Sequence, residues 1–507
     1  MDMIKRRDPG GDSPAVDHSP APGSGDEPRP GTLELYGGRW AALIPAAVLV
    51  IVLAWLSVAE RAAVSSFWVG GFLALVVGLL LARDKQQYSE AVTRGLTSGT
   101  GAVIIMAFLF AGIFGTLMKS GGLVAGLLWV GDTAGVTGGV FVGLAFLLSC
   151  LFAAGTGTSV GTVLALAPVL YPTGLFLGAE PVWLALAIIA GGAFGDNIAP
   201  VSDTTITSAF TQDARMGTVV RSRLPLAVTA AAVSLVVLVV MGGGGERVPT
   251  QDLAIDADPL GLVMLLPFAV VIGLALMRHH IIVSLTAGIL TAVVLGAVTG
   301  LMPLSTLFSI PSERGESTGL LEDGISGVTA VVILVLLIMA LAQVFAESGL
   351  MQSVLEKLRR SAARGVRSAE LAIVGISILF TIPLGANAPA ILLVGPTIAK
   401  PLGESHGLSP QRRANLLDCA VCTVFYMLPW HNAVIVWFAT VTGVAAELDL
   451  PAPGIGAAFL NPYAWALLVV LLVSVLTGWN RYAGMSRAER AEAEQRHAGG
   501  TGAARAA

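Results

Sequence analysis

Charged residues are scarce in this chain. Asp, Glu, Lys and Arg together make up 12% of its 507 residues, about half of the ~25% usual in soluble domains. So little charge excludes an ordinary solvated surface, and the 55% hydrophobic content points to a bilayer as the solvent. Cysteine is almost missing as well. Cys150, Cys419 and Cys422 all fall in apolar segments, and Cys419-Ala-Val-Cys422 has a redox spacing without the βαβ setting that would give it meaning, so these read as small core residues. No GxxxxGK[ST] run occurs, which argues against a primary pump. Residues 1–38 have no apolar core and are rich in Pro, Gly and Asp, so they read as a disordered tail and not a signal peptide. The polar, Ala/Arg-rich stretch 481–507 is a second tail. The net charge of −4 says little by itself, and no nucleic-acid partner is expected.

What the chain has in abundance is apolar sequence. Fourteen segments can be read, at about 40–59, 66–82, 101–118, 136–155, 158–177, 181–212, 223–241, 259–277, 281–301, 327–347, 369–385, 387–401, 413–444 and 462–480. Basic residues cluster at 83–94, 215–223 (Arg215, Arg221, Arg223), 357–367 and 412–413, whereas the loops 242–258, 302–326 and 445–460 are poor in them and carry acids. By the positive-inside rule this alternation fits an even number of spans with both termini cytoplasmic. The lipid bilayer is then the first partner, and a bacterial cytoplasmic membrane the expected location.

Two segments, 181–212 and 413–444, are too long for one simple crossing, and each is interrupted by a proline, Pro200 and Pro429. Landmarks in the two halves also recur at an offset of about 228 residues: Ser120-Gly121-Gly122 with Ser348-Gly349-Leu350, Gly157-Thr158-Ser159 with Gly385-Ala386-Asn387, and Pro168 with Pro396. One residue later in register, Pro200 to Asp203 falls on Pro429 to Asn432. Counting spans sets the two units in opposite directions. The expected fold is therefore an all-α polytopic membrane protein of about fourteen segments in two inverted-topology repeats with discontinuous helices. Its parts are tail 1–38, N-terminal spans 39–100, first repeat 101–222, connecting spans 223–326, second repeat 327–444, last span 445–480 and tail 481–507.

The first interruption, GGAFGDNIAPVSDTT at 191–205, places Asp196 and Asp203 inside a membrane segment. A carboxylate at the bilayer centre costs ~3 kcal/mol on insertion scales, so it is kept where it faces protein or a water-filled path. With Asn197, Ser202, Thr204 and Thr205 it forms an oxygen-rich candidate site for a cation and a proton, the metal being Na⁺ on Asp196 and Asp203. A desolvated carboxylate can also hold a proton once the ion leaves. Candidate substrate contacts are Thr156, Thr158 and Ser159 in GTGTSVGT, Asn387 in LGANAPA, Asp418, and Trp430, His431 and Asn432 at the second interruption.

Plainer roles stand beside these. GTGTSVGT suits close helix packing. Asp196 or Asp203 could cap a half-helix. Asp418 could pair with Arg412 or Arg413, and His431 could be a packed, hydrogen-bonded residue. No cofactor is expected; Na⁺ and H⁺ would be the transported ions.

The stretch GGAFGDNIAPVSDTT resembles the G-x-x-F-G-D-x-x-S-P-x-S-D-T-T signature of NhaC-type sodium/proton antiporters, in the ion transporter superfamily. GTGTSVGT is similar to that family's S-G-T-G-T-S-x-G-T, and the likeness covers most of 66–480. The resemblance implies Na⁺/H⁺ antiport, with Asp196 and Asp203 as the ion and proton carboxylates. Ala199 stands where the family commonly has Ser, and Leu416 to Val421 keeps only the Leu and Asp of L-E-D-S-G-T. Relatives that exchange malate for lactate or carry amino acids make a coupled transporter of a small organic solute the alternative, and a homodimer is compatible with either. An intramembrane aspartyl protease is a remote third reading. Ala193-Phe194-Gly195-Asp196 half fits its Gly-x-Gly-Asp setting, but both Asp lie in one interrupted helix and no Tyr-Asp pair occupies another span, so no enzyme is expected.

Overall fold

The computed structural model describes residues 33–58, 64–97, 99–136, 138–246, 257–277, 279–308, 319–350 and 365–485. Both predicted tails, except for a few residues at their inner ends, and part of the basic stretch 357–367 lie outside them. Among the described residues the chain is helical, with two isolated β-bridges and no strand. The helices are α1 Leu43–Val58, α2 Val64–Leu81, α3 Lys85–Leu96, α4 Gly99–Ser120, α5 Leu123–Ala134, α6 Gly138–Thr156, α7 Ser159–Phe176, α8 Pro181–Ile198, α9 Asp203–Thr211 and α10 Met216–Met241. They continue with α11 Leu265–Leu276, α12 Ile281–Thr299, α13 Leu304–Leu307, α14 Leu320–Glu347, α15 Val366–Leu384, α16 Asn387–Val394, α17 Lys400–Ser405, α18 Pro410–Val424, α19 Asn432–Glu447 and α20 Pro462–Thr477.

Eight of these stretches are long and apolar enough to cross a membrane, with α8 and α9 taken as one; a ninth forms if α4 and α5, bent by 59°, are read together. Four further apolar helices are shorter. Three elements have no counterpart among the fourteen apolar segments, one of them the four-residue α13 in the loop 302–326. The polar, amphipathic α3 lies before α4, and the short α5 follows the turn at Gly121 and Gly122.

Both interruptions fall where proline and polar residues break the apolar run. The helix stops at Ile198 and resumes at Asp203 around Pro200, and it stops at Val424 and resumes at Asn432 around Pro429. Each break faces the tip of a helical hairpin from its own half. In the first, α6 turns into α7 through Gly157 at φ +70°, and Thr158 caps α7 by accepting from the Gly161 amide. In the second, α15 ends at Gly385 with φ +62°, and the chain returns through α16, a π-helical turn at Gly395–Ala399 beside Pro396, and α17.

The hairpins open at opposite ends of the molecule. At one end Gly138 lies against Gly178, Ala179 bridges Gly243, and the Glu180 amide donates to Gly242 O at 3.1 Å. These contacts gather the start of α6, the end of α7, the start of α8 and the end of α10. At the other end Glu370, in the second turn of α15, pairs with Arg412 at the start of α18 (2.8 Å) and with Arg481 beyond α20 (2.5 Å). There Asn480 donates to Ser222 O at 2.6 Å, which sets α20 antiparallel to α10. The packing is reciprocal: α7 of the first hairpin lies against α19, and α16 of the second lies against α9. Helix α7 is almost wholly enclosed, 94% of it, while α10 and α12 are each 28% enclosed and turn their apolar faces outward. The hairpins and the helix breaks thus occupy the middle of the protein.

Candidate functional site

The two breaks and two hairpin tips converge on Asp196, which sits two residues before the end of α8 and is 4% exposed. Ser202, at the cap of α9, donates to Asp196 Oδ1 at 2.6 Å and lies 2.9 Å from Thr204 Oγ1. The Tyr426 hydroxyl, just past α18, donates to Asp196 Oδ2 and stands 3.0 Å from Ser159 Oγ on the first hairpin tip. Asn387 Nδ2, on the second tip, lies 3.5 Å from Asp196 Oδ2. Among the described residues no basic side chain reaches Asp196 within ion-pair distance. Its charge is met by neutral hydroxyls and one amide alone.

Asp203 is placed differently. It occupies the first turn of α9, where it gains from the helix N-terminus, and unlike Asp196 it is reached by solvent. Asn197 and Thr205 belong to a second, adjoining cluster. There Arg223 and Asp418, both completely buried, form an ion pair of 2.6 Å. Arg223 also donates to Asn197 O (2.5 Å), Thr205 Oγ1 (2.9 Å), Ser208 Oγ (3.4 Å) and Asn415 Oδ1 (3.1 Å). Asn197 Nδ2 donates to Asp418 Oδ1 at 3.0 Å, and Tyr463 donates to Asn197 Oδ1 at 3.2 Å.

This corrects the pairing offered for Asp418. Its base is Arg223, because Arg412 is held by Glu370 and Ser474, and Arg413 by Gln212, Glu404 and Leu408 O. It also moves Arg223 out of the cytoplasmic loop. Helix α10 begins at Met216, so Arg223 lies two turns inside it.

The second break is built by side chains holding backbone. Helix α15 ends at Leu384, which leaves Ile382 O without a helical partner. Trp430 Nε1 donates to that oxygen at 2.7 Å, His431 Nε2 lies 3.1 Å from it, and the Asn432 amide donates to Gly385 O at 3.1 Å. His431 Nδ1 and Asn432 Oδ1 are buried with no protein partner. Thr156 and Thr158 are occupied locally, Thr156 on Phe152 O and Thr158 as the α7 cap. Ser159 and Asn387 are therefore the hairpin residues at Asp196. Sequence reasoning missed Tyr426, Arg223, Ser208, Asn415 and Tyr463. A tyrosine three residues before Pro429, in a chain with six tyrosines, was the available signal for Tyr426.

Paired hairpins opening at opposite ends, two broken helices and an uncompensated buried carboxylate between them define a membrane transporter. The family model described as "Na+/H+ antiporter family" matches residues 33–243 and 253–479, and the chain belongs to that family. It is similar to the arginine/ornithine antiporter ArcD of Halobacterium salinarum, 25% identical over 78% of this chain and 82% of that one. The malate-2H(+)/Na(+)-lactate antiporter of Bacillus subtilis is 22% identical over 82% and 88%. The Na(+)/H(+) antiporter NhaC of Alkalihalophilus pseudofirmus is 24% identical over 80% and 88%. Among solved structures, the YdaH transporter of Alcanivorax borkumensis matches with a TM-score of 0.41 at 15% identity, covering 87% of this chain and 99% of that one.

Proposed function

We propose that this protein exchanges Na⁺ for H⁺ by alternating access, with Asp196 holding one or the other. The observation that carries this reading is the meeting of both hairpin tips, the first break and Tyr426 on one buried carboxylate whose hydrogen-bond partners are all neutral. A buried ion without a counter-charge costs several kcal/mol, so this carboxylate is stable with either a proton or a hard cation. Oxygen donors suit Na⁺, and Ser202, Thr204, Ser159 and Asn387 supply them around it. Proton and cation then compete for the same group, and competition couples the two fluxes.

Asp203, exposed at the start of α9, acts at the mouth of the site, where a negative charge draws cations in. Trp430 and His431 brace the second break, so that rocking of one half against the other moves the hairpin tip with it. We read the two halves as inverted repeats of about fourteen membrane segments, with both termini on the cytoplasmic side of a bacterial membrane. The opposed hairpins and the basic loops support that reading. A homodimer is the assembly to test first, by mass photometry.

The decisive experiment follows internal pH in proteoliposomes after addition of Na⁺, Li⁺ or K⁺, then of malate, lactate, arginine and ornithine. Proton flux driven by Na⁺ or Li⁺ and lost in Asp196→Asn supports the proposal. Flux with one organic solute and none with cations overturns it in favour of solute exchange.

A further inference from the structure

The ion pair next to the site is more than a structural bridge. Five oxygens surround the Arg223 guanidinium: Asp418 Oδ2 at 2.6 Å, Asn197 O at 2.5 Å, Thr205 Oγ1 at 2.9 Å, Asn415 Oδ1 at 3.1 Å and Ser208 Oγ at 3.4 Å. They come from α8, α9 and α18, while Arg223 enters from α10. Arg223, Asp418, Asn197, Thr205, Ser208 and Asn415 are all buried. One carboxylate, one peptide carbonyl and three neutral side-chain oxygens make the donor set that a hard monovalent cation takes. It resembles the set at Asp196, with one difference: a tethered cation already fills it.

We propose that the oxygen cage on Asp418 is a second cation site, permanently occupied by the Arg223 side chain. A guanidinium does not lose its proton at any working pH. The cage therefore keeps its positive charge throughout the cycle, and only the Asp196 site exchanges ions. The binding stoichiometry of this protein is set by a residue that sits outside the exchanging site.

The inference rests on the cage geometry and deepens the reading of Asp196 as the exchanging carboxylate, yet the two can fail separately. The test is equilibrium binding of ²²Na⁺ to purified full-length protein, with thermal unfolding in NaCl, LiCl, KCl and choline chloride alongside. Arg223→Ala is expected to gain one bound Na⁺ per chain over the unsubstituted protein, and to be stabilised by NaCl or LiCl beyond any effect of choline chloride. Arg223→Lys, which keeps a cation in the cage, and Arg223→Ala/Asp418→Asn, which removes the carboxylate, are expected to gain none.

Removing Arg223 leaves a buried charge, so Arg223→Ala purified only in Na⁺ or Li⁺ and lost on exchange into choline also supports the cage. A folded Arg223→Ala that gains no Na⁺ and shows no Na⁺-specific stabilisation overturns it. So does a gain that persists in the double variant with Asp418→Asn. Arg223→Ala/Asp196→Asn separates the two sites: Na⁺ retained there belongs to the cage, whatever the fate of exchange at Asp196.

Discussion

Gly157 is the position where the fold can be tested most sharply, because two separate costs fall on it. Its φ of +70° lies in the left-handed region, which costs an L-residue about 1–2 kcal/mol. A Cβ there would also lie 2.7 Å from Val201 Cγ2 and 2.9 Å from the Ser202 amide nitrogen, and that backbone cannot yield without shifting the residue that binds Asp196. Overpacking of this kind costs about 1–3 kcal/mol. Together the two come to about 2–5 kcal/mol against the docking of the first hairpin on the first break.

Neighbouring glycines separate the costs. Gly135 has φ +63° with nothing within 4 Å of a Cβ, and Gly385 has φ +62° with its nearest contact, Trp430 O, at 3.4 Å. Alanine at either therefore bears the backbone strain alone. Gly217, with open space and no left-handed φ, bears neither. Thermal unfolding in detergent and Na⁺-driven proton flux should order the alanine variants Gly217, then Gly135 with Gly385, then Gly157, with flux at Gly157 down about tenfold or more. Equal stability and flux for Gly157→Ala and Gly135→Ala would refute the contact between hairpin tip and break.

Asp196→Asn should insert and fold normally yet abolish Na⁺-driven proton flux in liposomes, whereas Asp203→Asn should raise the half-saturating Na⁺ and leave the maximal rate largely intact. Tyr426→Phe removes the hydroxyl between Asp196 and Ser159; a hydrogen bond to a charged group is worth ~1.5–3 kcal/mol, so flux should fall about tenfold or more with folded yield unchanged. Arg94→Met leaves Glu347, whose side chain is 3% exposed, with Gln343 as its side-chain partner among the described residues; because Arg94 is itself 39% exposed and solvent screens the pair, the cost in unfolding experiments should be about 1–3 kcal/mol. Lys400, bonded to Asp213 at 2.6 Å, holds that carboxyl below the usual carboxylate range. The contact therefore contributes above that range and is lost as acid protonates Asp213, and Lys400→Met should remove this small acid-dependent part of stability.

Most of the helices were legible in the sequence because a bilayer leaves few ways to bury a backbone. Runs such as 138–156, 159–176 and 281–299 matched their apolar segments within a few residues. The breaks were legible for the same reason: Pro200 and Pro429 each remove a donor amid polar residues, and no apolar helix continues through both. Side-chain partnership was not legible. Asp418 and Arg223 are far apart in sequence, and Arg223 stands beside Arg215 and Arg221, where composition assigns it to a cytoplasmic loop. His431 and Trp430 carry the chemistry of binding residues, but an orphaned carbonyl on α15 claims both. Spacing along the chain cannot reveal that Ile382 O needs them.

The two halves share elements but not chemistry, and this difference fixes where the charge sits. On the proposed repeat, Ser159 on the first tip corresponds to Asn387 on the second, and Asp203 corresponds to Asn432. Asp196 has no acidic counterpart; Tyr426 stands one residue beyond the equivalent position and donates to it instead. One half therefore supplies the carboxylate and the other supplies neutral donors to it. Two acids facing each other at this depth would each need a cation or a proton, since like charges in a dry interior strongly oppose joint ionisation. An acid facing a phenol needs only one. The packing follows the same division: the first tip is pressed against its break at Gly157, where Ser202 must be held on Asp196, while the second tip at Gly385 has room. A carboxylate introduced in the second half, Asn387→Asp, should accordingly bring a second acid to Asp196 and make the site demand an additional cation or proton. Measured by ²²Na⁺ binding with parallel proton release, unchanged binding and release in a folded Asn387→Asp would show that Asn387 does not share the site with Asp196.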